Sequence, residues 1–197
     1  MNFLAHLFLA GDDEELVIGN MVADFIRKSA VEDFPAGIQK GIQLHWSIDT
    51  YTDVHPIVRQ AARRLYPNHG KYAPVVLDIL FDYFLAKNWD RYSLLSLRQF
   101  TNRTYKTLFR YENWLPPRLK RNLAPMVDKD WLFRSGTIEG LRTLLEGVDK
   151  RTKFPSNFAG AIEDVKESYA VFDNAFNIFF PELIAHVEMA KVEILRA

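Results

Sequence analysis

Apolar residues recur along most of this chain at spacings of three and four, and the strict alternation of a half-buried strand is scarce. The pattern predicts an all-α fold. Asp12 or Asp13 stands ahead of a first strongly periodic run, LVIGNMVADFIRK, with Glu14 and Glu15 in its first turn, where negative charge suits the helix dipole. Gly19 weakens that helix locally. Pro35 suits the start of a second helix, AGIQKGIQLHWSIDTY, and a third begins near His55 and Pro56 with VRQAARRLY, which leaves Asp53 in the joint between them. After a turn at PNHG comes YAPVVLDILFDYFLAKNW, apolar on most faces, as expected of a helix at the centre of a helical domain. Another helix starts at Ser93 and runs through LRQFTNRTYKTLFRYENW until Pro116 and Pro117 end it, and PPRLKRNLAPMVDKDWLF reads as short helices. Thr137 caps EGLRTLLEGVDKR, and two last helices run through FAGAIEDVKESYAVFDNAFNIFF and from Pro181 through ELIAHVEMAKVEIL. The sum is about eight helices around one core, in a single domain over residues 1–197.

Composition narrows the chemistry. A hydrophobic content of 48% is enough for a sizeable core, and 25 basic residues against 25 acidic ones leave no basic excess of the kind that marks nucleic-acid binders. There is no cysteine, so disulfides, thiolate metal sites and cysteine nucleophiles are excluded, and metal ligands can only be oxygen or imidazole. The opening MNFLAHLFLAGDDEE lacks the basic start and cleavage pattern of a signal peptide, and no run approaches the roughly 20 apolar residues of a membrane span. A cytoplasmic location is expected. Glycine-rich phosphate loops, nucleophile elbows and HExxH helices are absent.

What stands out is a set of acids and imidazoles at helical spacing inside apolar segments: His6, then Asn20 and Asp24, then His45 and Asp49, then Asp78 and Asp82. An unpartnered charge there costs several kcal/mol, on the order of 3 to 5 for a buried ion stripped of its counter-charge, and a divalent cation is the simplest common partner. Each pair also has a plainer reading. His45 and Asp49 read equally as a helix-surface pair, Asp24 as an ion pair with Arg27 or Lys28, and His6 as a hydrogen-bonded core histidine. For Asp78 and Asp82 the plainer reading turns one to solvent or makes it the cap of a neighbouring helix. His55, His69 and His186 read as loop or surface residues. Basic clusters at Arg59, Arg63 and Arg64, at Arg118, Lys120 and Arg121, and at Lys150, Arg151 and Lys153 read as solvated faces, or as anion contacts if one rims the pocket.

The stretches MNFLAHLFLA, GNMVADF, GIQLHWSIDTYTDVHP, APVVLDILFDYFLAKNW and FFPELIAH resemble the acyl carrier protein phosphodiesterase family over nearly the whole chain, most strongly in the first 90 residues. The resemblance implies an all-helical fold distantly similar to HD-type phosphohydrolases, dependence on Mn2+, and removal of the 4'-phosphopantetheine arm from holo acyl carrier protein. It implies metal ligation among His6, Asp24, His45, Asp49 and Asp78. Asp82 and Asp78 would act in catalysis, and Asn20, Arg59, Arg63 and Arg64 would contact the substrate or the acidic carrier. Two positions depart from the family pattern: Tyr83 follows Asp82 where a histidine is usual, and Trp46 stands where an arginine usually follows the motif histidine. Two further readings stay open, hydrolysis of a different phosphoester in the same metal pocket, and a catalytically inactive helical module that binds a carrier protein.

Overall fold

Eleven α-helices, joined by short 3-10 turns, form the regular structure of the described residues, which in this computed structural model are 1–150, 152 and 157–196. No strand occurs among them. The all-α expectation holds, and the excess over eight helices lies in short pieces and shifted boundaries. Helix α1 (Phe3–Ala10) precedes α2 (Glu14–Val22), whose N-terminus is capped by Asp13 accepting from the amides of Glu15 and Leu16. The apolar run predicted to carry α2 onward breaks after Val22 into a 3-10 turn, Ala23–Phe25, followed by extended Ile26. Asn20 and Asp24 therefore do not share an α-helical face.

Helices α3 (Ala36–Val54) and α4 (Pro56–His69) are separated by His55 alone, so Asp53 belongs to the last turn of α3 and not to a joint. Pro67 lies inside α4, which continues through the expected PNHG turn. Helix α5 (Ala73–Lys87) follows, then α6 (Leu97–Arg110), opened by a capping box between Ser96 and Gln99 three residues beyond the predicted start. Pro117 begins α7 (Pro117–Asp128) at the first helical position, where its missing N–H costs nothing. The short α8 (Trp131–Arg134) leads to α9 (Ile138–Asp149), capped by Thr137 accepting from the Gly140 amide as predicted. The predicted end of that helix, at Arg151, lies outside the described residues.

Helices α10 (Ala161–Glu167) and α11 (Tyr169–Arg196) part at Ser168, and Pro181 sits inside α11. An interior proline costs a helix about 3 kcal/mol. Here Phe179, Phe180 and Leu183 around it are fully buried, and burying each such side chain is worth about 1.5 to 3 kcal/mol, so packing holds the helix through the proline.

Helix α5 is buried on nearly every side, and Phe81 and Phe84 meet Phe176 and Phe179 of α11 at ring separations of 5.6 to 6.1 Å. A second, smaller core gathers Ile18 and Met21 of α2, Ile38 and Ile42 of α3, and Leu108, Leu119 and Leu123 of α6 and α7. Helices α2 and α3 approach closely because Gly19 faces Gly41: a Cβ on Gly19 would lie 2.5 Å from the Gly41 Cα, and one on Gly41 would lie 2.5 Å from the Leu16 carbonyl oxygen. The glycine that weakens α2 as an isolated helix is what allows this contact. No helix among the described residues is long and apolar enough to cross a membrane.

Candidate metal centre

The close approach of α2 to α3 sets Asn20, the residue after Gly19, against His45, one turn beyond Gly41. The Asn20 backbone carbonyl lies 2.9 Å from His45 Nδ1. A carbonyl only accepts, so Nδ1 carries the proton and donates it, and the free nitrogen Nε2 is turned the other way. There it faces Asp49 Oδ2 at 3.1 Å and Asp24 Oδ1 at 3.3 Å. The same asparagine orients the second ring. Asn20 Nδ2 donates to the Leu16 carbonyl at 3.2 Å, which aims its Oδ1 at His6 Nδ1, 3.3 Å away. His6 Nδ1 therefore donates as well, and His6 Nε2 faces Asp49 Oδ1 at 3.1 Å. The two imidazoles stack 4.0 Å apart with 17° between their planes. Both arrive in one tautomer with their second nitrogens directed at one carboxylate.

A neutral Nε2 presents a lone pair, and a lone pair facing a carboxylate oxygen at 3.1 Å is repulsive unless a proton or a cation stands between them. Burial disfavours charge on His45, but its hydrogen bonds to Asp24 and Asp49 outweigh burial and push its pKa up to about 9. Burial and the neighbouring His45 charge hold His6 below the usual histidine range, with Asp49 pulling the other way. Burial raises the Asp49 and Asp24 carboxyls, yet the facing imidazoles bring both below the ordinary carboxylate range. Two stacked imidazolium rings repel, so protons alone satisfy one Nε2 and leave the other mismatched. A cation suits both nitrogens and both carboxylates at once, and outer nitrogens fixed on an amide and a carbonyl are the usual support of metal-binding histidines. Among the described residues, His6, His45 and Asp49 form the one acid and histidine group compact enough to hold an ion, with ligand atoms all within 4.8 Å of one another.

Asp78 and Asp82 find their compensation elsewhere, at the start of α1. Asp78 Oδ1 lies 3.0 Å from the Met1 amino group, which is also 4.0 Å from Asp49 Oδ1. Asp82 is buried, and its oxygens accept from the Leu4 and Ala5 amides at 2.8 and 3.0 Å, satisfying donors that the first turn of a helix leaves open. Burial pushes Asp82 up to about 7 against the pull of those two hydrogen bonds. It is the cap of a neighbouring helix, and through α1 it fixes the position of His6. In this structure an amino group faces Asp78 and two backbone amides face Asp82.

A cleft of about 500 Å³ lies beside Asp78, lined also by Asp53, Arg59, Arg63, Tyr66 and Leu77. Arg59 Nε donates to the Asp53 carbonyl at 2.8 Å, which holds the guanidinium over the mouth of α3. Arg64 is not part of this face. It lines a separate groove between α4 and α11, with Gln60, Asn174 and Ile178. Asn20 is 2% exposed, so the expected substrate contact is corrected to a structural one: it positions both imidazoles.

His55 and His69 are buried and not superficial, because each bridges two helices: His55 Nε2 meets Glu182 at 3.0 Å, and His69 meets Asp164. His186 is half-buried, stacked 4.3 Å from Tyr51 and 2.9 Å from Ser47 Oγ. Trp46 lies under the Lys28 ammonium at 5.3 Å, and Tyr83 is buried edge-on to Phe84, so neither departure from the family pattern falls within the imidazole and carboxylate cluster. Of the other basic groups, Lys120 pairs with Glu112 at 3.6 Å, the Arg118 guanidinium lies 6.0 Å from the Phe25 ring, and Arg151 and Lys153 fall outside the described residues. The sequence reading missed the role of Asn20, whose decisive atom is a backbone oxygen. The signal that was available is the glycine beside it, paired across helices with Gly41.

The family described as acyl carrier protein phosphodiesterase matches residues 1–183 of the chain. A protein of that name from Photorhabdus laumondii is 32% identical over 189 residues, covering 95% of this chain and 96% of its own. One from Yersinia enterocolitica is 29% identical over 193 residues, covering 98% and 100%, and one from Escherichia coli O157:H7 is 31% identical over 186 residues, covering 94% and 96%. No solved structure matches the chain.

Proposed function

The chain belongs to the acyl carrier protein phosphodiesterase family, and on that premise we propose that it hydrolyses the phosphodiester joining 4'-phosphopantetheine to the serine of holo acyl carrier protein, with a divalent cation held by His6, His45 and Asp49 and backed by Asp24. The observation that carries this reading is the pair of imidazoles locked in one tautomer by Asn20, with both Nε2 atoms facing Asp49. That donor set, two imidazole nitrogens with carboxylate oxygens, suits manganese, the ion the family resemblance implies, as well as zinc or iron. When bound, the cation supplies positive charge to the phosphate oxygens and lowers the pKa of a water.

The protein's own groups do the rest. Asp24, half-exposed at the edge of the cluster, is open to accept a proton from the attacking water, whereas Asp82, with both oxygens engaged by amides, serves as the support that keeps α1 and His6 in place. Asp78 lines the cleft and holds the Met1 amino group at the phosphate's approach. Arg59 and Arg63 offer guanidinium groups to an acidic carrier surface beside the cluster, and the Asp53 carbonyl keeps Arg59 oriented. Arg64, facing another groove, has no part in this contact.

The deciding experiment incubates purified protein with Mn2+ and holo carrier protein and follows the carrier by mass. Loss of the arm is expected, together with loss of activity on chelation and a fall of at least about 100-fold for Asp49→Ala with folding retained. An intact holo carrier under these conditions, or cleavage that persists in excess chelator, defeats the proposal. Turnover of other phosphodiesters with the carrier untouched would shift the reading to a different phosphoester.

A further inference from the structure

Two clefts of opposite character flank the contact between Met1 and Asp78. One is the arginine-lined cleft beside Asp78. The other, of about 430 Å³, is walled by Phe3, Ile79, Trp131 and Leu144, with Asn2 and Lys129 contributing polar groups. A small extension shares Phe3, Trp131 and Leu144 and reaches Leu4 and Asp82 beneath the first turn of α1. Successive residues of α5 line the two clefts, Asp78 the first and Ile79 the second. The cluster is adjacent to the second cleft as well: Phe3 lies one turn before His6 in α1, and its ring stacks at 6.2 Å on Phe25, the neighbour of Asp24.

A phosphodiester has two ester arms, and in the proposed substrate they differ sharply. One leads to the surface of an acidic protein. The other is pantetheine, a slender chain with a gem-dimethyl group, two amides and a thiol, apolar along most of its length and polar at a few points. We propose that the Phe3, Ile79, Trp131 and Leu144 cleft is the subsite for the pantetheine arm, with Asn2 and Lys129 meeting its polar groups, while the carrier body sits over Arg59 and Arg63. This rests on the reading given above. The assignment follows from chemistry: a cleft of a few hundred Å³ with an apolar wall and a rim of polar groups that also includes Glu146 and Lys150 fits a small amphipathic ligand, and guanidinium groups fit an acidic surface. The groove beside Arg64 is lined by α4 and α11 alone and touches neither α1 nor α5, so it is not contiguous with the phosphate position.

Gly147 of α9 lines the apolar cleft, and a Cβ built there meets no described atom within 4 Å, so Gly147→Trp is a plug whose side chain starts in open space. Thr143, exposed one turn earlier on the same wall, gives a second plug in Thr143→Trp. Calorimetric titration of 4'-phosphopantetheine into the wild type and both variants, with melting temperatures recorded, reads the subsite directly. At least tenfold weaker binding by both folded variants is the expected result. Equal binding by wild type and variants, or no binding by the wild type, overturns the assignment. Arm release from holo carrier, followed by mass in parallel, separates the two readings. A wild type that binds 4'-phosphopantetheine through this cleft yet leaves holo carrier intact defeats the hydrolase reading and supports the subsite. Undiminished release and undiminished binding in the plugged variants defeat the subsite alone.

Discussion

At the scale of single residues, the centre is governed by where protons sit. His45 is raised from 6.5 to about 9, so in the cation-free protein its charged form stabilises the fold fully below pH 6.5, and that contribution drains away as the pH rises through about 9. A cation needs the same Nε2 without its proton, so ion and proton compete. Mn2+ affinity is therefore expected to climb as the pH rises from about 6.5 to 9, with about one proton released per ion bound. Calorimetry in two buffers of different ionisation enthalpy measures that release, and pH-independent affinity over the window would show that His45 does not take part. His45 and Asp49 stood out in the sequence because a histidine and an acid four apart in an apolar segment are conspicuous, and His6 stood out only alongside them. Asp78 and Asp82 were equally conspicuous, and in this structure they face the start of α1, Asp78 the Met1 amino group and Asp82 two backbone amides, partners that residue type alone does not reveal.

At the scale of helices, the contact of α2 with α3 is the element on which the centre depends. Replacing Gly41 by alanine gains about 1 kcal/mol of helix propensity, but the new Cβ would sit 2.5 Å from the Leu16 carbonyl oxygen and 2.8 Å from the Gly19 Cα. Backbone atoms on both sides cannot yield as a flexible side chain does, and overpacking of this kind typically costs about 1 to 3 kcal/mol or more. Gly41→Ala is therefore expected to lower the melting temperature by several degrees and to weaken Mn2+ binding, since parting the helices draws the Asn20 carbonyl away from His45. An unchanged melting curve with unchanged affinity would refute this account. Helix identity was legible wherever the apolar stripe was long, as in α5, and wherever a cap was intact, as at Asp13 and Thr137. Boundaries at Pro67, Ser168 and Pro181 were not, because tertiary packing of α4 and α11 overrides the local cost of proline.

At the scale of the whole molecule, equal numbers of acidic and basic residues leave no net charge, so attraction for an acidic carrier is expected to be local, and the proposed reading puts it at Arg59 and Arg63. Reversing both charges, Arg59→Glu with Arg63→Glu, is expected to raise KM for holo carrier about tenfold with little change in kcat, and to flatten the rise of KM with added salt. Arg64→Glu, on the far groove, serves as the comparison and is expected to leave KM within about twofold. A larger effect from Arg64 than from the pair would move the docking face to the other side of α4. One residue, Asn20, tethers rings from two different helices, His6 through its side-chain amide oxygen and His45 through its backbone carbonyl. Among the described residues neither imidazole has another anchor on its outer edge, so loosening α2 is expected to release both together and to make ion retention a single switch tied to the integrity of that helix.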